Sequence, residues 1–331
     1  MSIHSLVKKI RFLLVSMVRE ILNYFDLKVL TNKQYKEILA QRAKAVKDLV
    51  DQKEDKLEDG LIGVIFSRDR ALQLNALLES YFEKVINPAP LIVIYKASNF
   101  SHKIAYQEVI ARIIKLSHLV VFIEQPESFR ECLVNVLEGV KVKSIFFLVD
   151  DIVFIRHVDL SIYSAINSRM GILSLRLGPS LRKSYTTNQN QKPPFFLQSD
   201  ISLELLEFEW FEQGCEWADP WSVDGNIYSA AEIFVLTKIS QFKAPNSYED
   251  ALKSFGDLAK GRIGYCFKEC KILNLAINRV QSERSNISGS ITTEFLLEQW
   301  NRGLVMDRKI FDTHIPYSPH EEFEIKFRSR T

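Results

Sequence analysis

The stretch that decides the fold is Ser144-Ile145-Phe146-Phe147-Leu148-Val149, an apolar run that ends on Asp150 and Asp151. Such a run between polar residues is typical of a strand buried on both faces of a sheet. Two carboxylates at its end lie at the rim, where open α/β sheets bind ligands. Because two like charges are costly to desolvate together, the pair predicts a counter-ion, and a divalent metal that accompanies phosphates is the natural candidate. The alternative is a loop cap or an ordinary ion pair with Arg156.

The segments around this run alternate between strand and helix patterns. In chain order they predict strand 61–66, helix 72–82, strand 91–95, helix 104–116, strand 118–123, helix 128–140 and strand 144–149. Such alternation predicts a mostly parallel central sheet flanked by helices. Right-handed crossovers then bring the carboxyl ends of the strands to one edge. Three polar clusters fall at that edge, namely 67–70, 96–99 and 150–151.

The second half of the chain is less regular. Its patterns predict a strand at 171–177, a polar loop at 184–192, an aromatic loop region at 209–228, and helices at 230–241, 247–255 and 293–302. A parallel nucleotide half followed by a loop-rich half is a familiar division between a donor site and an acceptor site.

Composition excludes several classes of protein. The chain has 331 residues, of which 47% are hydrophobic and 25% charged, as in a globular enzyme and unlike a disordered protein. A net charge of +2 gives no reason to expect nucleic-acid binding. Four cysteines make no disulfide framework in a chain of this length, which favours reduced thiols and a cytoplasmic location.

The N-terminal region carries a basic amphipathic pattern. Apolar residues recur at helical spacing through residues 1–27, and Lys8, Lys9, Arg11 and Arg19 interrupt them, which argues against a membrane span or a signal peptide. Two readings remain open: a helix lying on a membrane surface, or one packed on the enzyme body or on a second subunit of a homo-oligomer. A charged helix then leads into a predicted linker at 51–60, so we divide the chain into a helical extension, 1–58, and a main domain, 59–331.

Seven motifs in order give the chain a resemblance to a known family. They lie at 66–74, 95–99, 147–154, 174–178, 222–227, 245–249 and 278–281. The chain resembles bacterial glycosyltransferases of the GT-A fold that build cell-surface polysaccharides, over about residues 60–325. The resemblance implies transfer of a sugar from a nucleotide-diphosphate donor to a glycan or lipid-linked glycan. A lipid-linked acceptor implies an enzyme at the inner face of the plasma membrane.

The resemblance also implies a metal site. An Asp-X-Asp-type motif follows the fourth strand in this family, here as a variant with Val149 in first place. Asp151 is then the better metal ligand, while Asp150 contacts ribose or shares the metal. His320 lies where many enzymes of this fold have a histidine metal ligand late in the sequence, and His314 is the alternative candidate. The implied metal is Mn²⁺ or Mg²⁺, which stabilises a departing diphosphate as a Lewis acid.

Arginines after the first strand predict the donor site. Arg68 and Arg70 suit bidentate phosphate contacts, and Asp69 suits a base or ribose hydroxyl. The alternative, which can hold at the same time, is that Ser67 or Asp69 caps a helix beginning at Ala71. The matching motifs complete the predicted donor contacts with Ser67, Tyr95, Asn99 and Asp150.

An inverting transferase needs a carboxylate base for the acceptor hydroxyl. Asp224 is the first choice and Glu249 the second, with Asp219 behind them. Asp224 precedes Gly225, and Asp-Gly is also a common turn, so a structural role stays open. A retaining enzyme would need no such base. The predicted acceptor contacts are Arg176, Trp217, Asp219 and Trp221.

Two other functions remain open. A nucleotidyltransferase shares the sheet and the acidic metal ligands, but it usually has a glycine-rich phosphate loop after the first strand, and residues 67–70 contain no glycine. A non-catalytic relative that binds a glycan or nucleotide is the other. Metal-stimulated donor turnover would distinguish an enzyme from this relative.

Overall fold

A computed structural model of the protein describes residues 31–278 and 291–330. The predicted helix over residues 1–27 and the motif residues 279–281 lie outside the described residues. The chain divides into two compact units, of which the first ends at Asp48 and the second begins at Leu49. The predicted division at 58/59 stays a prediction. Within the described ranges, no helix has the length and apolar character that a membrane crossing requires.

Helices account for much of the described chain. The α-helices are α1 (Asn32–Glu54), α2 (Ala71–Lys84), α3 (Phe100–Leu116), α4 (Phe129–Gly139), α5 (Ala230–Ile239), α6 (Pro245–Lys253) and α7 (Thr293–Asn301). Short 3₁₀ helices lie at Leu160–Ala165, Cys215–Ala218, Gly256–Ala259 and Arg308–Phe311. Every helix predicted between residues 72 and 302 is present, with ends that differ by a few residues.

The strands form one large sheet and several small ones. In chain order they are β1 (Glu58–Arg68), β2 (Val85–Ile86), β3 (Leu91–Lys96), β4 (Val120–Glu124), β5 (Val142–Val149), β6 (Ile152–Phe154), β7 (Val158–Asp159), β8 (Gly171–Ser174), β9 (Lys183–Ser184), β10 (Gln189–Asn190), β11 (Leu197–Gln198), β12 (Leu205–Glu209), β13 (Asn226–Ser229), β14 (Ile263–Phe267), β15 (Ile272–Leu275), β16 (Leu304–Met306), β17 (His320–Glu321) and β18 (Phe327–Ser329).

The large sheet has nine strands in the order β11-β12-β14-β8-β13-β5-β1-β3-β4. Strands β5, β1, β3 and β4 are parallel neighbours, as the alternating pattern predicted. Strand β13 enters antiparallel between β5 and β8, and β12 is antiparallel to β14. The predicted α/β class with a helix-flanked central sheet is confirmed, but the sheet is parallel in only part of its width.

The apolar run of β5 is continuous because both of its faces are covered. Phe146, Phe147 and Leu148 are all fully buried. A Cβ atom on Gly63 of the neighbouring β1 would lie 2.5 Å from the Phe146 ring and 2.6 Å from Leu91. Glycine at this position therefore lets the Phe146 side chain pack directly over β1, which fixes the register of the two central strands.

A second, three-stranded sheet brings distant segments to the end of β5. Its order is β17-β15-β6, and Asn274 of β15 pairs with Ile152 on one side and with His320 on the other. The backbone N–H of Leu275 donates to the carbonyl of Asp151 at 2.8 Å. This small sheet carries His320 to the same edge as the paired aspartates.

The predicted linker at 51–60 is wrong. Helix α1 continues to Glu54, and β1 begins at Glu58. The Lys53 ammonium lies 4.6 Å from the centre of the Phe234 ring, and Ser229 donates to Glu54 at 3.1 Å. These contacts, which all lie within the second unit, hold the last helical turn against β13 and α5, since charged side chains can bury their stems while their heads form polar contacts.

Candidate active site

A cavity of about 660 Å³ opens where the parallel strands end. The carboxyl ends of β1, β3 and β5 form one side of it, and further lining residues come from the 211–224 loop, the start of α6, β15, β17, and the segments that follow β4, β8 and β9. This is the edge at which the sequence predicted a ligand site. The predicted site residues that line the cavity are Ser67, Arg68, Arg70, Asp150, Asp151, Arg176, Asp219, Trp221, Asp224, Glu249 and His320.

The paired aspartates are bound by an arginine of the β1–α2 turn. Nη1 of Arg70 donates to Asp150 Oδ1 and to Asp151 Oδ2, both at 2.9 Å, and Nη2 donates to the carbonyl of Asn278 at 2.6 Å. Burial opposes the charge of Arg70, but the two carboxylates raise its pKa above the usual value. The protein counter-ion of the pair is therefore Arg70, and the predicted alternative with Arg156 is wrong.

Asp150 has no free oxygen. Its Oδ2 accepts hydrogen bonds from Ser67 Oγ at 2.8 Å and from the Arg68 backbone at 3.1 Å, and its Oδ1 accepts from Arg70. The side chain is 4% exposed. Asp150 thus ties the end of β5 to the end of β1, and this geometry does not support a metal or ribose contact. Neither Ser67 nor Asp69 caps α2, because no side chain makes the capping bond there.

Asp151 differs from its neighbour because one of its oxygens is unpaired. Oδ1 is buried and has no hydrogen-bond partner. Burial, with the charges of Asp150 and Asp224 added, raises the pKa of Asp151 to about 6, although Arg70 and His320 oppose the rise. A buried carboxylate with an unpaired oxygen is costly unless a further donor or cation approaches it.

His320 is held by Asp224. Its Nε2 lies 3.0 Å from Asp224 Oδ2, and its Nδ1 is buried without a partner. Burial lowers the pKa of His320, but the contact with Asp224 raises it above the ordinary value. Burial would raise the pKa of Asp224, yet His320 and Arg176 hold it below its usual range. The rival His314 pairs with Glu321 at 2.7 Å and does not line the cavity.

A second charged group lies on the side of the cavity formed by the 211–224 loop. Arg176 forms a buried ion pair with Glu216 and donates to the carbonyl of Asp219 at 3.2 Å. Lys253 lies 2.9 Å from Asp219 Oδ2 and 3.3 Å from Glu249 Oε2. Burial and the charge of Glu249 raise the pKa of Asp219 to about 6, against the opposing charges of Lys253 and Arg176.

Carboxylates outnumber the cations that pair with them around the cavity. The acidic members of these pairs are Asp150, Asp151, Glu216, Asp219, Asp224 and Glu249. Their permanently charged partners are Arg70, Arg176 and Lys253. More exposed cations also line the cavity, namely Arg68, Lys96 and Lys243. The buried part therefore attracts a cation, while the exposed cations suit an anionic ligand.

Three predicted donor residues do not line the cavity. Tyr95 is buried with its ring 4.8 Å from that of Tyr106. Asn99 caps helix α3 through its side chain. Asp69 accepts a hydrogen bond from the Ser98 backbone at 2.7 Å and so joins the ends of β1 and β3. Each residue has a structural partner, and direct contact with a donor is not supported for any of them.

The two predicted tryptophan contacts also need correction. Trp217 is fully buried, does not line the cavity, and packs edge-on against Phe196 and Phe208. Trp221 borders the cavity, but its side chain is fully buried and stacks on Tyr228 at a ring distance of 5.6 Å. Neither ring presents a face to a sugar, because both complete the core beneath the loop.

The lining residues that the sequence reasoning missed include Glu216, Lys253 and Asn274. Lys253 follows Glu249 by four residues on α6, a spacing that predicts side-chain contact on a helix. Glu216 and Asn274 gave no local signal, because their positions depend on the Arg176 ion pair and on the pairing of β15 with β6 and β17.

Solved structures share only limited likeness with the chain. S. aureus TarS 1–349 is 12% identical with a TM-score of 0.41, covering 66% of this chain and 61% of that chain. A 4-diphosphocytidyl-2C-methyl-D-erythritol synthase from Anaerococcus prevotii is 11% identical with a TM-score of 0.37, covering 74% and 97%. A UDP-glucose pyrophosphorylase complexed with UDP-glucose is 12% identical with a TM-score of 0.33, covering 73% and 99%. These TM-scores are too low to support an argument.

Sequence comparison gives a more direct likeness. No family model matches the chain. The bifunctional glycosyltransferase pgtA of Dictyostelium discoideum is 26% identical over 194 residues, which cover 53% of this chain and 25% of that protein. The chain thus matches about a quarter of the length of this curated relative. The comparisons establish a distant similarity to a glycosyltransferase.

Proposed function

We propose that this chain is a glycosyltransferase that moves a sugar from a nucleotide-diphosphate donor to a glycan acceptor. The observation that carries the proposal is the charged cavity at the carboxyl edge of the parallel strands, with the unpaired oxygen of Asp151 buried beside it. The distant similarity to a glycosyltransferase supports the same reaction class.

Of the two adjacent aspartates, only Asp151 has an oxygen that is free to bind a divalent cation. Asp151 Oδ1 and His320 Nδ1 are buried without partners, whereas both oxygens of Asp150 are engaged. In the described ranges no three His, Cys, Asp or Glu side chains form a preformed metal site. Asp151 and His320 would therefore share Mn²⁺ or Mg²⁺ with the donor phosphates, as Mg²⁺ sites commonly do. When bound, the cation supplies Lewis-acid stabilisation of the departing diphosphate.

The exposed cations of the cavity suit the donor phosphates. Arg68 has a 55% exposed side chain, and its contact with Asp69 is a loose 3.7 Å, so its guanidinium is available for a bidentate contact. Lys96 and Lys243 line the same cavity. Arg70, which was predicted as a phosphate ligand, instead positions the aspartates.

Transfer requires that the acceptor hydroxyl lose its proton as its oxygen attacks the anomeric carbon. Carboxylates at the cavity can take this proton. The roles predicted for Asp224 and Glu249 stay predictions. Glu249 is engaged through both oxygens, since Oε1 accepts from the Val223 backbone at 3.3 Å and Oε2 lies 3.3 Å from Lys253.

The experiment that tests the proposal is a thermal-shift panel of UDP-, GDP-, CMP- and dTDP-sugars, with and without Mn²⁺. A ligand that binds the native state raises the melting temperature according to its affinity. We expect one nucleotide class to raise it, more so with Mn²⁺, and the same donor to release free nucleotide slowly to water. No shift and no released nucleotide with any donor would contradict the function.

We further propose a lipid-linked glycan as the acceptor, at the cytoplasmic face of the plasma membrane, with residues 1–27 as the membrane contact. The support is the basic amphipathic pattern of those residues. Deleting residues 1–30 and fractionating cells tests this idea. We expect the full chain in the membrane fraction and the deletion in the soluble fraction, and an identical distribution of the two forms would contradict it.

A further inference from the structure

Asp219 and Asp224, two carboxyl groups of the 219–224 loop, both line the cavity but have different hydrogen-bond and ion-pair partners. Asp224 is paired through its Oδ2 with His320 Nε2 at 3.0 Å. The geometry of Asp224 therefore suits holding His320 in place.

Asp219 has the opposite arrangement. Its Oδ2 lies 2.9 Å from Lys253 and 4.0 Å from Arg176, while its Oδ1 is buried without a partner. The side chain lines the cavity and is 19% exposed. The groups that face it are Lys253 and Glu249 on α6, Arg176 after β8, and the Tyr228 hydroxyl of β13. The carboxylate thus has capacity for one more hydrogen bond at Oδ1, and a hydroxyl entering the cavity would approach it from the exposed part of the side chain.

We propose that Asp219 is the general base for the acceptor hydroxyl and that Asp224 is a positioning residue for His320. This assignment rests on the proposed transferase function and replaces the order of choice that the sequence suggested. Lys253 fixes the orientation of the Asp219 carboxyl group through their ion pair.

The raised pKa of Asp219 agrees with the role that this geometry assigns to it. Burial and Glu249 raise its pKa to about 6, despite Lys253 and Arg176. Such a group is ionised at neutral pH and still takes up a proton readily, which is the compromise that general-base catalysis favours.

In the proposed step, the hydroxyl proton moves to the Asp219 carboxylate while the acceptor oxygen attacks the anomeric carbon. The new C–O bond forms on the face opposite the diphosphate. The old C–O bond breaks, and the departing phosphate oxygen takes its electron pair. The proton then passes from Asp219 to solvent. This sequence inverts the anomeric configuration and consumes no further reactant.

Azide tests the assignment, because it is a nucleophile with no proton to remove. The probes are UDP-glucose, UDP-galactose, UDP-N-acetylglucosamine and GDP-mannose, and the readout is nucleotide released by the wild-type protein and by Asp219→Ala. We expect Asp219→Ala to lose turnover with water by about a hundredfold or more. Sodium azide should restore release and yield a glycosyl azide of inverted configuration.

Asp224→Ala is the matched control, because it removes a carboxyl group from the same loop. Its turnover should fall without rescue by azide. A donor-induced thermal shift in Asp219→Ala, or in the milder Asp219→Asn, verifies that the variant folds and binds. Full turnover of both Asp219 variants, or an azide product of retained configuration, would overturn the assignment while leaving the transferase function intact. Absent donor binding and turnover in the wild-type protein would instead refute the transferase function.

Discussion

At the scale of single residues, Arg70 determines how two adjacent carboxylates can be buried together. Its Nη1 reaches both aspartates, and its Nη2 reaches the Asn278 carbonyl, so one guanidinium joins three segments of the chain. The sequence predicted that the pair needs a positive partner, and the protein itself supplies part of it. Within this pair, the oxygen that stays unpaired belongs to Asp151.

Arg70→Met should therefore destabilise the protein strongly. The change removes the charge at similar length and leaves two buried carboxylates uncompensated, which typically costs about 3–5 kcal/mol of unfolding free energy. Urea denaturation measures the loss. Arg68→Met is the matched control, because its side chain is largely exposed and should change stability by no more than about 0.5 kcal/mol. Equal stability of the two variants would contradict the assigned role of Arg70.

Asp151→Asn tests the proposed cation site. Asparagine keeps the shape of the side chain but removes the charge that would bind the cation. We expect turnover to fall by about a hundredfold or more, and the Mn²⁺-dependent part of the donor thermal shift to disappear. Circular dichroism should show an unchanged fold. If Mn²⁺ still enhances the thermal shift in this variant, the cation does not bind at Asp151.

The pH dependence of turnover should report Asp219 together with Asp151, because the pKa of each is raised to about 6. The Asp219 carboxyl group becomes protonated and inactive as a base when the pH falls through that value. The kcat/KM for donor turnover should then decline on the acidic side. A raised carboxyl pKa means that protonation favours the folded state, so the contribution of Asp219 to stability is lost as the pH rises through about 6. Because the two effects have opposite signs, a melting curve at each pH separates base protonation from acid unfolding.

At the scale of elements, the Asp224–Gly225 turn links the cavity to strand β13. Gly225 has φ +76°, and its N–H donates to the Phe147 carbonyl at 2.7 Å. A Cβ atom there would lie 2.3 Å from Ile272 of β15. This turn accordingly positions Asp224 against both the central strand β5 and the small sheet.

Gly225→Ala should destabilise the fold by about 1–3 kcal/mol, because the left-handed backbone and the approach of Ile272 both disfavour a side chain. Chemical denaturation gives the value. Gly256→Ala is the control, because a Cβ atom at Gly256 meets nothing within 4 Å. Equal losses in the two variants would mean that the turn tolerates a side chain.

The elements that the sequence predicted well are those whose pattern is local. Strands β1, β3 and β5 are apolar runs between amphipathic helices, so their type, order and shared edge follow from alternation and handedness. Strand β15 is a four-residue run whose pairing with β6 and β17 joins segments far apart in sequence. No local pattern encodes such pairing, which is why the site contributions of Asn274 and the Arg176–Glu216 ion pair were missed.

The aromatic loop shows a second limit of sequence reasoning. Composition placed several aromatic rings close to the cavity, but it did not specify which way they face. Trp217 turns away and packs between Phe196 and Phe208, whereas the neighbouring Glu216 lines the cavity. Without a regular period along the loop, the inward and outward positions cannot be separated from the sequence.

At the scale of the whole molecule, the more exposed cations and the buried acids around the cavity would bind different parts of the ligand under the proposed function. The chain is nearly neutral overall, with a net charge of +2, so attraction for the proposed anionic donor would come from local charges such as Arg68, Lys96 and Lys243. Such attraction is screened by salt over about 10 Å at 0.1 M ionic strength.

Donor affinity should therefore fall as salt is added. Raising NaCl from about 0.05 M to about 0.5 M should weaken binding of the nucleotide sugar severalfold. Calorimetry measures the dissociation constant at each concentration. The matching uncharged nucleoside, without phosphates, should show little dependence. A donor that binds equally well at both salt concentrations would exclude a major role for the exposed cations.

Because β17 pairs with β15, a truncation that removes β17 would affect the candidate site. A premature stop codon, or a protease that trims the tail back past residue 318, would delete His320 together with β18, the partner of β16. The parallel strands and both aspartates would survive such shortening. Protein abundance on an immunoblot would then be a poor guide to activity.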